Sequence, residues 1–139
     1  MLPLATLLSI VWAHFMGDFV WQSDAMAQGK SKDWGALSAH VLAYACALFM
    51  MSLPAATFGQ AASFVLVNAA LHFVVDAGTS RWTAYLYGKM EAEKAAGAPT
   101  RPKHMFAPVS ARHQFFCVIG FDQAIHMTCL LATGSVWLT

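Results

Sequence analysis

Four apolar stretches, each about 20 residues long, run through this chain and limit what it can fold into. They cover about Leu2–Trp21, Trp34–Leu53, Ala61–Trp82 and Gln114–Leu138. A helix needs about 20 mostly apolar residues to cross a bilayer core. None of the four alternates polar and apolar residues as a barrel strand would. Pro3 lies near the start of the first stretch, where proline is tolerated, and Pro54 stops the second. The chain is 58% hydrophobic and 11% charged, whereas a soluble domain is about 25% charged. The N-terminus has no basic n-region and no small-residue cleavage site, so the first stretch reads as a retained span and not as a signal peptide. The expected fold is all-α: a single transmembrane domain over residues 1–139, built as a four-helix bundle.

The charges give the bundle an orientation. All eight Lys and Arg residues fall in Lys30–Lys32 or Arg81–Arg112. Those segments belong to the first and third loops, Gln22–Asp33 and Thr83–His113. The middle loop, Pro54–Gln60, carries no charge. Positively charged loops stay in the cytoplasm. Both termini are therefore expected outside, with the long third loop inside, in a multi-pass protein of the bacterial inner membrane. Gly97, Pro99, Pro102 and Pro108 make that loop irregular for much of its length. Its Lys89–Ala96 portion, where charge and alanine alternate, suits a short surface helix.

Three ionisable pairs interrupt the apolar stretches: His14/Asp18, His72/Asp76 and Asp122/His126. Each has four-residue spacing, which puts both side chains on one helix face. Carboxylates are costly in hydrocarbon, so within a span they point to function. With the orientation above, these six residues and His40 lie within roughly 6–18 Å of the cytoplasmic helix ends. Four His and three Asp at one depth suggest a metal site, and imidazole with carboxylate suits Zn, Fe or Mn. Seven ligands exceed one tetrahedral zinc but suit two divalent ions with positions left for water. Two such ions carry +4 against −3 from the aspartates, and one hydroxide would balance the difference.

The expected metal ligands are His14, Asp18, His40, His72, Asp76, Asp122 and His126. His40 is read either as a ligand or as an acid/base or structural group. Gln22 and Gln123 are expected to support catalysis beside the ligands. Asn68, Ser80 and Tyr44 extend the same stripes at four-residue intervals, either orienting ligands or bonding helix to helix. Gln22, Asp24 and Lys30 fall at the cytoplasmic mouth, to meet a polar head group or simply water. His104 and His113 read as surface residues of the long loop. Cys46, Cys117 and Cys129 show no CxxC spacing and read as buried small hydrophobes. The five Trp residues mark interfaces or lipid-facing surface.

Four segments occur in order: AHFMGDFVWQ at Ala13–Gln22, LSAHVLAYA at Leu37–Ala45, LHFVVDAG at Leu71–Gly78 and FDQAIHM at Phe121–Met127. Together they resemble an uncharacterised family of small bacterial and phage membrane proteins, domain of unknown function 3307. The resemblance touches all four spans. It implies a polytopic membrane protein and supplies no activity. That family's pattern often has a Lys three residues after the second HxxxD aspartate, where this chain has Thr79. The pairs are also similar in ligand arrangement, and not in fold, to the HxxxD and HxxxE pairs of zinc-dependent phospholipase C and related nucleases.

The leading functional expectation is a dinuclear metal-dependent hydrolase in the membrane, acting on a lipid-like ester or phosphoester at the cytoplasmic leaflet. Its partners would be the bilayer and that lipid, with no nucleic acid. A metal-ion or proton transporter using the same residues is one alternative. A structural or interaction protein is the other.

Overall fold

The computed structural model describes residues 2–97 and 109–138. His104 and the prolines at 99, 102 and 108 lie outside the described residues. Helix α1 (Leu4–Phe15) continues into a π-turn (Met16–Val20). A short helix α2 (Asp24–Gly29) leads to α3 (Trp34–Ser52) and a 3-10 turn (Leu53–Ala55). Helices α4 (Phe58–Ala95) and α5 (Ala111–Trp137) complete the fold, and no strand occurs among the described residues.

Local chemistry accounts for the helix starts. Ser23, Asp33 and Ser110 accept backbone N–H bonds at the first turns of α2, α3 and α5. Thr57 and Gln60 form a reciprocal capping box at the start of α4. Pro54 turns the end of α3 into the 3-10 segment.

Three helical segments, Trp34–Ala55, Phe58–Ala95 and Ala111–Trp137, are long and apolar enough to cross a membrane. The first apolar stretch is shorter than expected, with Leu4–Val20 as its helical part. Its 17 residues reach about 25 Å, against a core about 30 Å thick. The irregular loop expected from Thr83 is corrected. Residues 83–95 continue α4 without a break, and Lys89–Ala95 is the end of that helix and not a separate one. Leu86, Lys89, Met90, Ala92 and Lys94 are strong helix formers, and no proline intervenes. Gly97, at φ 71, ends the run in the left-handed conformation that glycine favours.

The side-chain distribution is inverted relative to a soluble protein. His14, Asp18, His40, Asn68, His72, Asp76, Ser80 and His126 are buried. Leu4, Trp12, Leu42, Leu66, Val74, Trp82 and Phe121 are among the many large apolar side chains exposed. An outward apolar surface around a polar interior is what lipid-facing helices require. The cysteines follow this surface, which corrects their expected burial. Cys46 and Cys117 are exposed and Cys129 is half-buried. An apolar residue in a span has lipid as a second apolar destination, so burial does not follow from hydrophobicity there.

Helix α4 packs along α5 and α3, and α3 also contacts α1, the π-turn and α2. An apolar cluster including Ile10, Leu48, Phe64, Leu130 and Leu138 fills one end of the assembly. Ile10 lies one turn before His14 and Leu130 one turn after His126, so the cluster sits toward the N-terminal end of α1 and the C-terminal end of α5. The polar interior thus has an apolar floor and opens toward α2.

Gly17 lets the π-turn approach α3. A Cβ there would stand 2.8 Å from Tyr44 Cα and 3.2 Å from Ala47 Cβ. Backbone cannot yield as a flexible side chain can, so Gly17→Val should destabilise the fold by about 1–3 kcal/mol. Gly120→Ala, with nothing within 4 Å of its Cβ, should leave stability unchanged. Thermal unfolding of the two variants in detergent checks the contrast. Equal midpoints would refute this account of the contact.

Candidate metal centre

Each helix delivers its ionisable residues to one place. The π-turn carries Asp18 one turn below His14, and its Trp21 N–H bonds Met16 C=O at 2.8 Å, five residues back. Such π-turns are frequent at functional sites. Helix α3 supplies His40, α4 supplies His72 and Asp76, and α5 supplies Asp122 and His126. All are buried except Asp122, which is half-buried.

Four atoms define the centre. His40 Nε2 lies 3.1 Å from Asp18 Oδ1, 3.1 Å from His72 Nε2 and 3.3 Å from Asp76 Oδ2. His72 Nε2 lies 3.5 Å from Asp18 Oδ1 and 3.6 Å from Asp76 Oδ2. A ring nitrogen offers either one proton or one lone pair. Hydrogen bonding at His40 Nε2 therefore serves one of its three neighbours and leaves two without a role. A tetrahedral ion with bonds of about 2.0–2.1 Å has ligands about 3.3–3.4 Å apart. The five distances bracket that value.

Three overlapping groups bring ligand atoms within 4.8 Å of one another: Asp18–His40–His72–Asp76, His14–Asp18–His126 and Asp76–Asp122–His126. These buried groups could hold a metal ion. Asp18, Asp76 and His126 each belong to two of the groups. His126 Nδ1 lies 3.6 Å from Asp122 Oδ2, and its Nε2 lies 3.7 Å from Asp76 Oδ1. Both nitrogens of His126 are buried without a hydrogen-bond partner among the described residues, as is Nδ1 of His14, His40 and His72. Buried polar atoms normally have partners, so this concentration of orphans points to a ligand.

The rings are held by stacking. His72 lies between Tyr44, 4.0 Å away at 17°, and His126, 4.1 Å away at 20°. Tyr44, on the His40 stripe, thus fixes a ring from α4. Gln123 ties the other side together. His14 Nε2–H donates to Gln123 Oε1 at 2.9 Å, and Gln123 Nε2 donates to Asp18 Oδ2 at 2.8 Å and Asp122 Oδ2 at 3.1 Å. Asn68 bonds Thr133 instead, joining α4 to α5 away from the cluster.

Two contacts were not expected: Lys30 was read only as meeting a head group or water, and Thr79 only as standing where the family often has a Lys. Lys30, at the end of α2, donates to Asp76 Oδ2 at 2.9 Å and is 19% exposed, so it is neither a solvated loop residue nor remote from the ligands. Arg81, the basic residue nearest in sequence, turns away. It bonds Ala77 C=O and stacks 4.1 Å over Trp34. Thr79 Oγ1 donates to Asp122 Oδ1 at 2.6 Å. Thr79 had a local signal, three residues beyond Asp76 on the same face. Lys30 had none. His113 is exposed in the first turn of α5 and takes no part.

A cavity of ≈ 200 Å³ adjoins the cluster. Asp18, Asp76, Asp122, Gln22 and Gln123 line it together with Phe19, Phe115 and Ile119. Gln22 Oε1 is buried there without a partner among the described residues. The cluster is thus accessible from the α2 side.

The family described as a protein of unknown function (DUF3307) matches residues 6–139. No curated protein and no solved structure matches the chain.

Because Gln123 bonds three of the ionisable side chains, Gln123→Leu should lower unfolding stability by about 1–3 kcal/mol. Gln123→Glu keeps the acceptor for His14 but faces Asp18 and Asp122 with like charge, and should be at least as damaging. A Leu variant as stable as the parent in detergent unfolding would show that the bridge is not structurally important.

Proposed function

The chain belongs to the DUF3307 family, and from its site we propose a membrane-embedded metal-binding protein that acts as a metal-dependent hydrolase on a lipid-like ester or phosphoester. Four helices span the bilayer, the first with Leu4–Val20, at the short end of the usual range. Both termini face outward and the α2 side faces the cytoplasm, following the positive charge.

The observation that carries the reading is the set of His40, His72, Asp18 and Asp76, in which the two ring nitrogens lie 3.1–3.6 Å from each other and from both carboxylates, with orphaned nitrogens around them. Charge supports it too. Lys30 offsets Asp76, and the buried Asp18 and half-buried Asp122 call for further cations. The shared positions of Asp18 and Asp76 suit two ions bridged by carboxylate. Zinc fits the donor set best, with Fe or Mn in the same class. Bound divalent ions would supply Lewis-acid activation of water and of the ester oxygen.

The chain's residues do the rest. His14, Asp18, His40, His72, Asp76, Asp122 and His126 form the ligand shell. Gln123 orients His14 and Asp18, and Thr79 orients Asp122. Gln22 lines the cavity, and its Oε1, without a partner among the described residues, would accept a hydrogen bond from substrate. The stacked rings and the apolar floor keep the site rigid and closed on its far side. That floor favours chemistry at one leaflet over conduction, since a pathway has to continue across the bilayer.

Metal-replete expression should give purified protein with about two equivalents of tightly bound transition metal. Asp76→Asn and His72→Ala should each lose at least half of it. Elemental analysis is the check, and substantially less than one equivalent in the parent would sink the proposal. In vesicles, turnover of lipid ester supports hydrolysis, and uptake of labelled metal would support transport instead. Orientation is tested by adding Lys32→Cys and Lys94→Cys separately to a cysteine-free background. An impermeant thiol reagent should label both only after lysis, and labelling in intact cells would reverse the topology.

A further inference from the structure

A second, larger cavity of ≈ 650 Å³ lies outside the first. The two share Lys30, Ser80, Thr83 and Phe115 in their walls, so they adjoin. Their chemistry is opposite. The inner one has three carboxylates, Asp18, Asp76 and Asp122. The outer one has Lys30, Lys32, Gln28, Ser31, Ser80 and Tyr87 among its lining residues, and no carboxylate among the described residues. We propose that this outer cavity is an anion subsite that seats the phosphate group of an amphiphilic substrate next to the metal centre. It rests on the function proposed above and narrows its substrate to one bearing a phosphate.

Lys30 connects the two chambers. An ammonium has three N–H donors. One is taken by Asp76 Oδ2 at 2.9 Å, and two remain for an oxyanion. Lys32 adds a second cation two residues on, exposed and without a carboxylate beside it in the cavity wall. Hydroxyls of Ser31 and Tyr87 are donors for the remaining phosphate oxygens, while those of Ser80 and Thr83 already bond backbone carbonyls. Charge-assisted bonds to phosphate are the strong class, and Lys serves as a point charge in them. A neutral acyl ester would leave both cations unused. Phe115 borders both chambers, and Phe19 and Ile119 flank the inner one, so an apolar tail has a surface to follow toward the bilayer. The seating is ordered: phosphate against Lys30 and Lys32, and its ester bond turned inward toward Asp18 and Asp76.

The test measures binding and metal content separately on the full-length protein in detergent. The probes are dihexanoyl phosphatidic acid, dihexanoyl glycerol and inorganic phosphate, by calorimetry. Dihexanoyl phosphatidic acid should bind and dihexanoyl glycerol should bind at least tenfold more weakly. Lys32→Gln should weaken the phosphatidic acid about tenfold while bound metal stays at the parent's level. Lys32 is exposed and touches no ligand residue, so this variant should fold. Lys30→Arg, which keeps the charge, should bind better than Lys30→Gln. Tighter binding of the phosphatidic acid than of inorganic phosphate assigns the subsite to a lipid head group. Equal binding, still sensitive to Lys32→Gln, supports the subsite and assigns it to free phosphate. Equal affinity for the glycerol and phosphatidic probes, or no effect of Lys32→Gln, overturns the inference and leaves the metal reading standing. A metal-free parent protein removes that reading whatever the phosphate does.

Discussion

Three carboxylates held among apolar helices, Asp18 and Asp76 buried and Asp122 half-buried, set the terms for everything else in this molecule. A carboxylate that leaves water forfeits several kcal/mol of solvation, and lipid returns none of it. The fold answers by bringing compensating groups from every direction. Lys30 reaches Asp76, Thr79 reaches Asp122, and Gln123 reaches both Asp18 and Asp122. Four imidazoles fill the space between them. The helices are therefore held by polar contacts at their centre as much as by apolar packing at one end. In a bilayer, where lipid competes equally for apolar side chains, such contacts carry specificity that greasy packing cannot.

The backbone shows the same priority. The π-turn at Met16–Val20 gives up regular α-helical bonding beside Asp18, and Gly17 gives up a side chain so that this turn can lie against Tyr44 and Ala47. Tyr44 in turn stacks on His72. A chain of contacts runs from an irregular turn of the first helix, through α3, to a ring on α4. Each step orders the next, and the result is a site whose side chains have little freedom before any ligand arrives.

Much of this was legible in the sequence. Four-residue spacing placed each ionisable pair on one face, and the bounds of the apolar stretches put the pairs and His40 at a similar depth, where the structure brings them together. Local rules could reach that far because helix geometry is local. The pairing of Lys30 with Asp76 was not legible: the two are 46 residues apart, and the direction of Lys30 is set by how α2 packs on α3. Gln123 was expected beside the ligands, but its bond to His14, across 109 residues, was not. The long α4 was misjudged at Thr83 because hydropathy ends there while helix propensity does not. The cysteines were misjudged because burial of small apolar residues is a rule of soluble cores.

The apolar floor beneath the cluster has a further consequence. With Ile10, Leu48, Phe64 and Leu130 closing one end, the interior is a cul-de-sac. Among the described residues, the cavity beside the cluster lies on the α2 side. A group entering there meets the ionisable side chains at the end of its path, and the apolar residues beyond them offer it no polar partner.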